Sequence, residues 1–291
     1  MTIKAWIEAV RLRTLPVSLA GVALGAAYGV CYPVAKVLPA VLCLVFATLA
    51  QIASNFANEY YDYAGGLDRP GREGPRRGVT EGDITPKAML AATYLTLALA
   101  CCVGCVLLLW GGWWLLAVGV FIAVGVTAYS AGPYPLSHHA LGEVAVVVFY
   151  GLIPVTLTCY LMSGHLSLYA AVGGIGAGLM GANVLIVNNY RDRSDDESVG
   201  KHTLAVVLGY SAVRRIYLLN GVAAIIAFVP LWLHRAAISG TVISVVYLLL
   251  HLMLWRRMAK VEGAALNPVL GATAMLMSAY AVAMLIAVGI Q

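Results

Sequence analysis

Long runs of apolar residues alternate with short polar segments along the chain. A membrane-spanning helix needs about 20 mostly apolar residues, and nine stretches of the sequence approach or exceed that length. They cover residues 14–32, 37–57, 88–109, 113–131, 142–162, 167–188, 212–233, 237–255 and 269–290. The pattern predicts an all-α membrane protein with nine transmembrane helices, formed by residues 1–291 as a single domain.

The composition agrees with this pattern. Hydrophobic residues make up 62% of the 291 residues, and charged residues only 11%. Soluble domains carry about 25% charged residues, so the composition excludes a water-soluble fold. The net charge of +5 comes from basic residues in short segments between apolar runs, where they orient a protein in the bilayer. We therefore expect no nucleic-acid partner.

Lys and Arg residues concentrate on one side of the predicted membrane. All 18 except Lys36 and Arg235 lie in the N-terminal segment or after the second, fourth, sixth and eighth spans. The positive-inside rule places these segments in the cytoplasm and the C-terminus outside the cell membrane. All 13 acidic residues lie on the same side, although Asp and Glu contribute little to topology. This excess of acidic residues indicates chemistry at the cytoplasmic face.

Two polar stretches follow long apolar runs and carry acidic residues at helical spacing. NFANEYYDYAGGLD places Asn58 four residues before Asp62, and NNYRDRSDDESVGK spaces Asn188, Asp192 and Asp196 by four. Residues four apart share a helix face, so two membrane helices would end in carboxylate faces. Both ends are helix C-termini, where the macrodipole disfavours an anion by roughly 0.3–1 kcal/mol. A Mg²⁺ ion would supply positive charge there; ordinary solvated loop charges are the alternative.

Basic residues near these acidic stretches are candidates for binding an anion. Guanidinium and ammonium groups both suit phosphate oxygens, and a diphosphate would share its charge between the metal and these bases. The candidates are Arg13, Arg72, Arg76, Arg77 and Lys201. As orientation signals alone, the same residues need no ligand.

The segment after the fourth span is rich in Tyr and His. Tyr129, Tyr134, His138, His139 and Glu143 are candidates to line a cavity. Tyr is also common at membrane interfaces, so these residues have a simpler explanation as well.

Several motifs together resemble the UbiA superfamily of intramembrane prenyltransferases. They are RLRTLP at 11–16, the Asn58/Asp62/Asp68 stretch, REGPRRG with the following GDIT, ALGE at 140–143, and NNYRD with GKHTLAVVLG at 200–209. Within that superfamily they are most similar to the branch that prenylates 1,4-dihydroxy-2-naphthoate in menaquinone synthesis. The resemblance extends to the ninth predicted helix.

The resemblance implies a UbiA-type fold, with nine helices around a central cavity, cytoplasmic loop caps and a side opening to lipid. It implies that Asn58, Asp62, Asp68, Asp192 and Asp196 bind Mg²⁺, an assignment that we extend to Asn188 from its spacing. Asp62, Asp192 and Asp196 would be catalytic, and Arg13, Arg72, Arg77, Lys201 and Tyr129 would contact the diphosphate. The implied reaction joins a polyprenyl group to 1,4-dihydroxy-2-naphthoate with decarboxylation, giving demethylmenaquinone.

Three positions depart from the pattern of the superfamily. Glu59 stands where Asp is usual, which puts its metal role in doubt. Tyr134 replaces a basic residue, so one diphosphate contact is missing or is made by His138 or His139. Asp195 stands where Thr is more usual and adds a charge.

Two alternative functions stay open at this point. The first is a prenyltransferase for another aromatic acceptor, such as 4-hydroxybenzoate or homogentisate. The second, from a different class of protein, is a cation-coupled secondary transporter. Transporters keep functional charges near the bilayer midplane, whereas the middles of these spans are free of charge. The sequence leaves the prenyl chain length and the oligomeric state open.

The predicted orientation can be tested with single cysteines in a variant whose six natural cysteines are replaced. We expect a Cys appended after Gln291 to react with an impermeant thiol reagent added to intact cells, because the C-terminus is predicted to lie outside. A Cys that replaces Arg76 should react only after the cells are opened. The reverse pattern of labelling would contradict the orientation.

Overall fold

The computed structural model describes residues 2–12, 14–68 and 76–290. A short helix, α1 (Ile3–Val10), precedes a bundle of longer helices. These are α2 (Leu15–Gly29), α3 (Val37–Ala64), α4 (Pro86–Gly111), α5 (Leu115–Ala128), α6 (Gly142–Ser163), α7 (Leu168–Ser198), α8 (Leu204–Trp232), α9 (Ala237–Met258) and α10 (Asn267–Gly289). Short 3₁₀ turns, Leu136–His138 and Gly263–Leu266, precede α6 and α10.

All nine predicted spans correspond to helices, α2 to α10, which confirms the all-α membrane fold. Within the described residues, seven helices are long and apolar enough to cross a membrane. The other two, α2 and α5, have only 15 and 14 residues. Pro16 lies in the first turn of α2, and Gly112, with a φ of 82°, separates α4 from α5. The count of nine complete spans is therefore approximate.

Two helices continue well past their predicted ends. The apolar runs end at residues 57 and 188, but α3 extends to Ala64 and α7 to Ser198. The last turns of both helices are polar, yet many of their side chains are buried inside the protein. Each predicted acidic face is therefore carried by a continuous helix. Gly65 and Gly66, the latter with a φ of 69°, follow the end of α3.

Helix α7 lies at the centre of the bundle. In its most apolar window 72% of the residues are buried, against at most 44% in the other six long helices. It packs against α2, α6, α8 and α10. The largest hydrophobic core is formed by α2 and α6 to α10 and includes Leu24, Met180, Tyr217, Phe228 and Met277.

Glycines allow α6 and α7 to meet backbone to backbone. Helix α6 contains a π-helical segment, Val147–Leu152. A Cβ atom on Gly151 in this segment would overlap the backbone of Gly174 and Gly178 in α7. Small residues that let helix backbones approach closely are the usual means of packing in membranes. This contact positions the start of α6 against the C-terminal half of α7.

A substitution at this contact should destabilise the protein. We expect Gly151→Ala to lower the free energy of unfolding by about 1–3 kcal/mol, because the added methyl group forces two backbones apart. Gly271→Ala in α10 is the matched control, since a Cβ atom there would have open space around it. The midpoint of thermal unfolding of the purified proteins in detergent measures the effect. Equal midpoints for the two variants would contradict the proposed close contact.

Candidate active site

A polar cavity of about 180 Å³ lies where α2 and α6 begin and α3 and α7 end. Among its lining residues are nine singled out from the sequence, Asn58, Asp62, Arg77, Tyr129, Glu143, Asn188, Asp192, Asp196 and Lys201. The structure thus brings the two predicted acidic faces into one cavity. The roles assigned to these residues in metal and diphosphate binding stay predictions.

The carboxylate of Asp62 is surrounded by groups from three different loops. The residue is only 1% exposed. Lys201 donates a hydrogen bond from Nζ to its Oδ2 at 3.1 Å, and Arg77 Nη2 lies 3.8 Å from the same oxygen. His138 Nε2 lies 3.6 Å from Oδ1. Asn58, one turn earlier in α3, donates from Nδ2 to Oδ2 at 3.2 Å. The cations that compensate the negative charge of Asp62, Lys201 and Arg77, therefore both come from outside α3.

The loop after α7 places Lys201 in this cluster. Gly200 adopts a φ of 75°, a conformation that costs glycine little. The backbone N–H of Lys201 then donates to the carbonyl oxygen of Asp196 at 2.9 Å. Next to it, the backbone N–H of His202 donates to the carbonyl oxygen of His138 at 2.9 Å. The loop after α7 and the loop before α6 are thus held together over the cavity.

The second acidic face is compensated by its own neighbour in the chain. Arg191 donates from Nε to Asp192 Oδ1 at 2.6 Å and from Nη2 to Oδ2 at 2.7 Å. The same guanidinium donates to Asn188 Oδ1 at 2.9 Å and to Asn267 Oδ1, at the start of α10, at 2.7 Å. A bidentate contact of this kind fixes geometry as well as charge. Arg191 therefore orients Asp192 and connects α7 to α10.

Asp68 occupies a different position from the other predicted metal ligands. It is not among the described residues that line the cavity. Its Oδ2 lies 3.3 Å from Arg77 Nε. Arg77 in turn donates from Nη2 to Asn58 Oδ1 at 3.2 Å. The structure thus places Asp68 behind Arg77, where it helps to orient that guanidinium toward the cavity.

The three departures from the family pattern lie in distinct surroundings. Glu59 is buried and accepts a hydrogen bond from the backbone N–H of Val79 at 3.1 Å, away from the cavity lining. Tyr134 is 56% exposed and stacks on His139 with ring centroids 3.6 Å apart. Asp195 is exposed on α7, as expected of a solvated charge. Of the two histidines considered as replacements, His138 is the one that contacts Asp62.

Two predicted diphosphate contacts, Arg13 and Arg72, lie outside the described residues. Their roles in binding the diphosphate stay predictions. Arg76, another candidate, forms ion pairs with Asp83 and with Glu8 and does not line the cavity.

The cavity also contains residues that sequence reasoning missed. Arg11 donates from Nη2 to Asn58 Oδ1 at 2.7 Å, and Arg191 lines the cavity beside Asp192. Both had been counted only as orientation signals, although Arg11 lies in RLRTLP and Arg191 in NNYRD. Tyr150 and Asn189 line the cavity as well. Tyr150 lies within an apolar run and Asn189 within the motif NNYRD, and neither position gave a separate signal.

An apolar cavity of about 280 Å³ adjoins the polar one and is lined by residues of α2 to α6. The two share four lining residues, Gln51, Ser54, Tyr129 and Tyr150. Its wall includes the exposed residues Cys101 and Cys105 of α4 and Leu116 and Val120 of α5. The apolar cavity therefore extends from the polar site to the lipid-facing surface between α4 and α5.

A charged cavity thus adjoins an apolar one inside a helical membrane bundle. The chain belongs to the UbiA prenyltransferase family, which it matches over residues 14–279. It is 36% identical over 219 residues to 1,4-dihydroxy-2-naphthoate octaprenyltransferase of Escherichia coli (strain K12), covering 73% of this chain and 71% of that protein. It is 35% identical over 225 residues to the octaprenyltransferase of the same name from Mycobacterium tuberculosis, covering 77% of each.

Solved structures show the same fold. A UbiA homolog from Archaeoglobus fulgidus bound to GPP and Mg²⁺ superimposes with a TM-score of 0.69 at 18% identity, over 97% of this chain and 99% of that one. The apo structure of a UbiA homolog from Aeropyrum pernix K1 gives 0.69 at 16% identity, over 100% and 98%. The UbiA-type fold predicted from the sequence is thus confirmed.

Removing the charge of either acidic face should stop turnover. We expect Asp62→Asn and Asp192→Asn each to lower the rate of prenyl transfer by about 10²-fold or more, the scale on which preorganised charges act at a reacting centre. Asp195→Asn is the matched control, because Asp195 is an exposed neighbour on the same end of α7. Turnover of the purified variants and their thermal unfolding are measured together. Wild-type turnover in either cavity variant would contradict its catalytic role.

Proposed function

We propose that this protein transfers the polyprenyl group of a polyprenyl diphosphate to 1,4-dihydroxy-2-naphthoate in a Mg²⁺-dependent reaction. The junction of the two cavities carries the proposal. A polyprenyl diphosphate has a compact, highly charged head and a long apolar tail. The polar cavity suits the head, and the apolar cavity with its lipid-facing opening suits the tail.

Basic groups on the polar side would receive the diphosphate. Lys201, Arg77 and Arg11 point into one part of the cavity, next to Asn58 and Asp62. In the resting protein they neutralise or hydrogen-bond the first acidic face. An incoming diphosphate would compete for the same guanidinium and ammonium groups, which bind phosphate oxygens through charge-assisted hydrogen bonds. Arg13, Arg72 and Tyr129 are proposed as further contacts.

The donor set of the cavity fits Mg²⁺ that is shared with substrate phosphates. Mg²⁺ is usually held by one or two carboxylates together with phosphate oxygens and water. Within the described residues, no three His, Cys, Asp or Glu side chains converge as an all-protein metal site would require. The proposed ligands are therefore Asp62 with Asn58 on one face and Asp192, Asp196 and Asn188 on the other. Asp68, which touches Arg77, would act through that residue or through a ligand-dependent rearrangement.

Residues of the polar cavity would stabilise charge during the reaction, and the residues that the two cavities share would exclude water. When bound, Mg²⁺ supplies positive charge that balances the charge growing on the leaving diphosphate. Lys201 and Arg77 orient that diphosphate and contribute further positive charge. The walls around the shared residues Gln51, Ser54, Tyr129 and Tyr150 keep water from the allylic carbon as its C–O bond breaks. An electron-rich ring carbon of the acceptor then forms the new C–C bond.

The acceptor is proposed from the relatives. The two quoted above are named for 1,4-dihydroxy-2-naphthoate and are more than 30% identical over more than two thirds of this chain. In that acceptor a hydroxyl group lies beside the carbon that carries the carboxylate. The hydroxyl feeds electrons to the attacked carbon, and departure of CO₂ restores the aromatic ring. The product is demethylmenaquinone in its reduced form.

We further propose that the single domain lies in the cytoplasmic (inner) membrane with the polar cavity facing the cytoplasm. The basis is the distribution of Lys and Arg, since Lys36 and Arg235 alone lie on the other side. The substrates and membrane lipid are the proposed partners.

The proposal is tested by crossing acceptors with donors in one assay. Purified protein in Mg²⁺ should prenylate 1,4-dihydroxy-2-naphthoate with a long polyprenyl diphosphate and release CO₂. Removal of divalent metal with EDTA should abolish turnover, and added Mg²⁺ should restore it. Product is measured by mass spectrometry.

Each arm of this assay has an outcome that contradicts one part of the proposal. Faster turnover of 4-hydroxybenzoate or homogentisate would refute the assigned acceptor and leave the family's chemistry intact. Undiminished turnover without divalent metal would refute the metal requirement. A protein that stays folded yet prenylates none of the aromatic acceptors would refute the proposed reaction as a whole.

A further inference from the structure

Glu143 is a buried carboxylate of the polar cavity that differs from the two acidic faces. It is 8% exposed, lines the cavity, and lies in the first turn of α6. Its Oε1 accepts a hydrogen bond from Asn189 Nδ2 at 2.9 Å. Its Oε2 is buried and has no hydrogen-bond partner among the described residues. A buried polar atom without a partner calls for an explanation.

The charge of Glu143 is compensated differently from that of Asp62 and Asp192. Those two carboxylates contact Lys201 and Arg191, respectively. No basic side chain among the described residues lies within ion-pair distance of Glu143. The positive end of the α6 dipole and the amide of Asn189 are what stabilise its charge. Glu143 is therefore not one of the carboxylates proposed to bind the metal. Among the described residues, it also forms no ion pair with the cations proposed to bind the diphosphate.

Glu143 lies in the polar cavity, close to residues that the two cavities share. Gly142, the preceding residue, packs against the Tyr129 ring, since a Cβ atom there would lie 3.5 Å from the Tyr129 hydroxyl oxygen. Tyr129 and Tyr150 line both cavities. Glu143 thus borders the place where a diphosphate in the polar cavity and a prenyl chain in the apolar cavity would meet.

The ligand group that suits such a carboxylate is a neutral hydroxyl. An anionic acceptor atom repels the diphosphate, while it accepts a hydrogen bond from a phenol. The other charged or titratable groups among the described residues that line the cavity are Tyr129, Tyr150, Arg11, Arg77 and Asp196 and, as compensated faces, Asp62 with Lys201 and Asp192 with Arg191. Unlike Asp62 and Asp192, Glu143 has no cation in contact among the described residues.

We infer that Glu143 is the general base of the reaction: its Oε2 binds the hydroxyl group of the aromatic acceptor and takes up its proton, while Asn189 positions the carboxylate. The inference rests on the proposed function. The O–H bond breaks, its proton goes to Oε2, and its electron pair moves into the ring. The ring carbon conjugated to that oxygen forms the C–C bond to the allylic carbon. The C–O bond to the diphosphate breaks, and the diphosphate leaves with that electron pair.

The main test compares Glu143→Gln with Glu81→Gln. Gln keeps the shape of the side chain and its contact with Asn189 but cannot take a proton. We expect kcat for the naphthoate to fall by about 10²–10⁴-fold, the usual contribution of general-base catalysis, with the KM for the prenyl diphosphate within about twofold of the wild type. Glu81 is exposed and lines neither cavity, so its substitution should leave both constants unchanged.

A pH profile separates a base from a residue that only shapes the cavity. In Glu143→Gln the acceptor must ionise by itself, and a phenol has a pKa of about 10. The ratio of variant to wild-type kcat should therefore rise about tenfold per pH unit between pH ~7 and ~9. The assay is run without oxygen, because the hydroquinone acceptor oxidises in alkaline solution. Glu143→Asp, which keeps a base, should retain more activity than Glu143→Gln at pH ~7.

Three results would overturn the inference. They are a kcat of Glu143→Gln within about threefold of the wild type, a reduced kcat that does not recover at high pH, and a loss that appears in the KM of the prenyl diphosphate. If Glu143→Gln unfolds, as judged by its thermal transition, the pH profile of Glu143→Asp decides instead: its kcat ratio to the wild type must rise with pH. Failure of the wild-type protein to prenylate any acceptor would refute the proposed function, whereas an active Glu143→Gln variant refutes only this inference.

Discussion

The structure of the site depends on the need to compensate carboxylates that are buried at the C-terminal ends of two helices. Asp62 lies in the last turn of α3, where the helix dipole adds roughly 0.3–1 kcal/mol of unfavourable energy, and Asp192 lies further inside α7, which continues to Ser198. Leaving a buried charge without its partner costs more, about 3–5 kcal/mol. Cations must therefore reach both carboxylates. Arg191 does so from the same helix, and Lys201 does so from the loop that follows it.

This requirement determines the course of the loops above the cavity. Lys201 reaches Asp62 only because the loop after α7 turns at Gly200 and joins the loop before α6 through His202 and His138. Lys201 is also one of the groups proposed to bind the diphosphate. The cavity thus contains ion pairs of Asp62 with Lys201 and Arg77. Glu143 forms no ion pair among the described residues, which is why a separate chemical role is proposed for it.

Two kinds of packing surround the site and serve different needs. Around α7 the helices pack tightly, and at Gly151 the backbones of α6 and α7 touch. This side holds the second acidic face rigidly, because Arg191 also joins α7 to α10 through Asn267. On the other side, α4 buries only 17% of its most apolar window, and the apolar cavity opens between α4 and α5. The side of α4 and α5 thus contains the apolar cavity, and the tightly packed side around α7 fixes the geometry of the second acidic face.

The pattern of apolar runs was enough to find the helices, but it misplaced the ends of the two most important ones. An apolar run shows where a helix leaves hydrocarbon, and α3 and α7 continue beyond that point because their polar turns are buried in protein. The spacing of Asn58 with Asp62, and of Asn188 with Asp192 and Asp196, correctly predicted shared helix faces. Spacing also explains Glu59, which follows Asn58 directly, is rotated by about 100° on the helix and meets Val79 instead of the cavity.

By itself, the sequence determined the helical membrane fold, the approximate spans and the residues that form each acidic face. These properties depend on local periodicity and on burial in lipid, both of which can be read from neighbouring residues. Only the tertiary structure decided that Lys201 contacts Asp62 across 139 residues of chain, that Asp68 lies behind Arg77, and that Glu143 Oε2 has no hydrogen-bond partner among the described residues. Such pairings depend on how distant segments pack, and a one-dimensional pattern carries no information about which charges will meet.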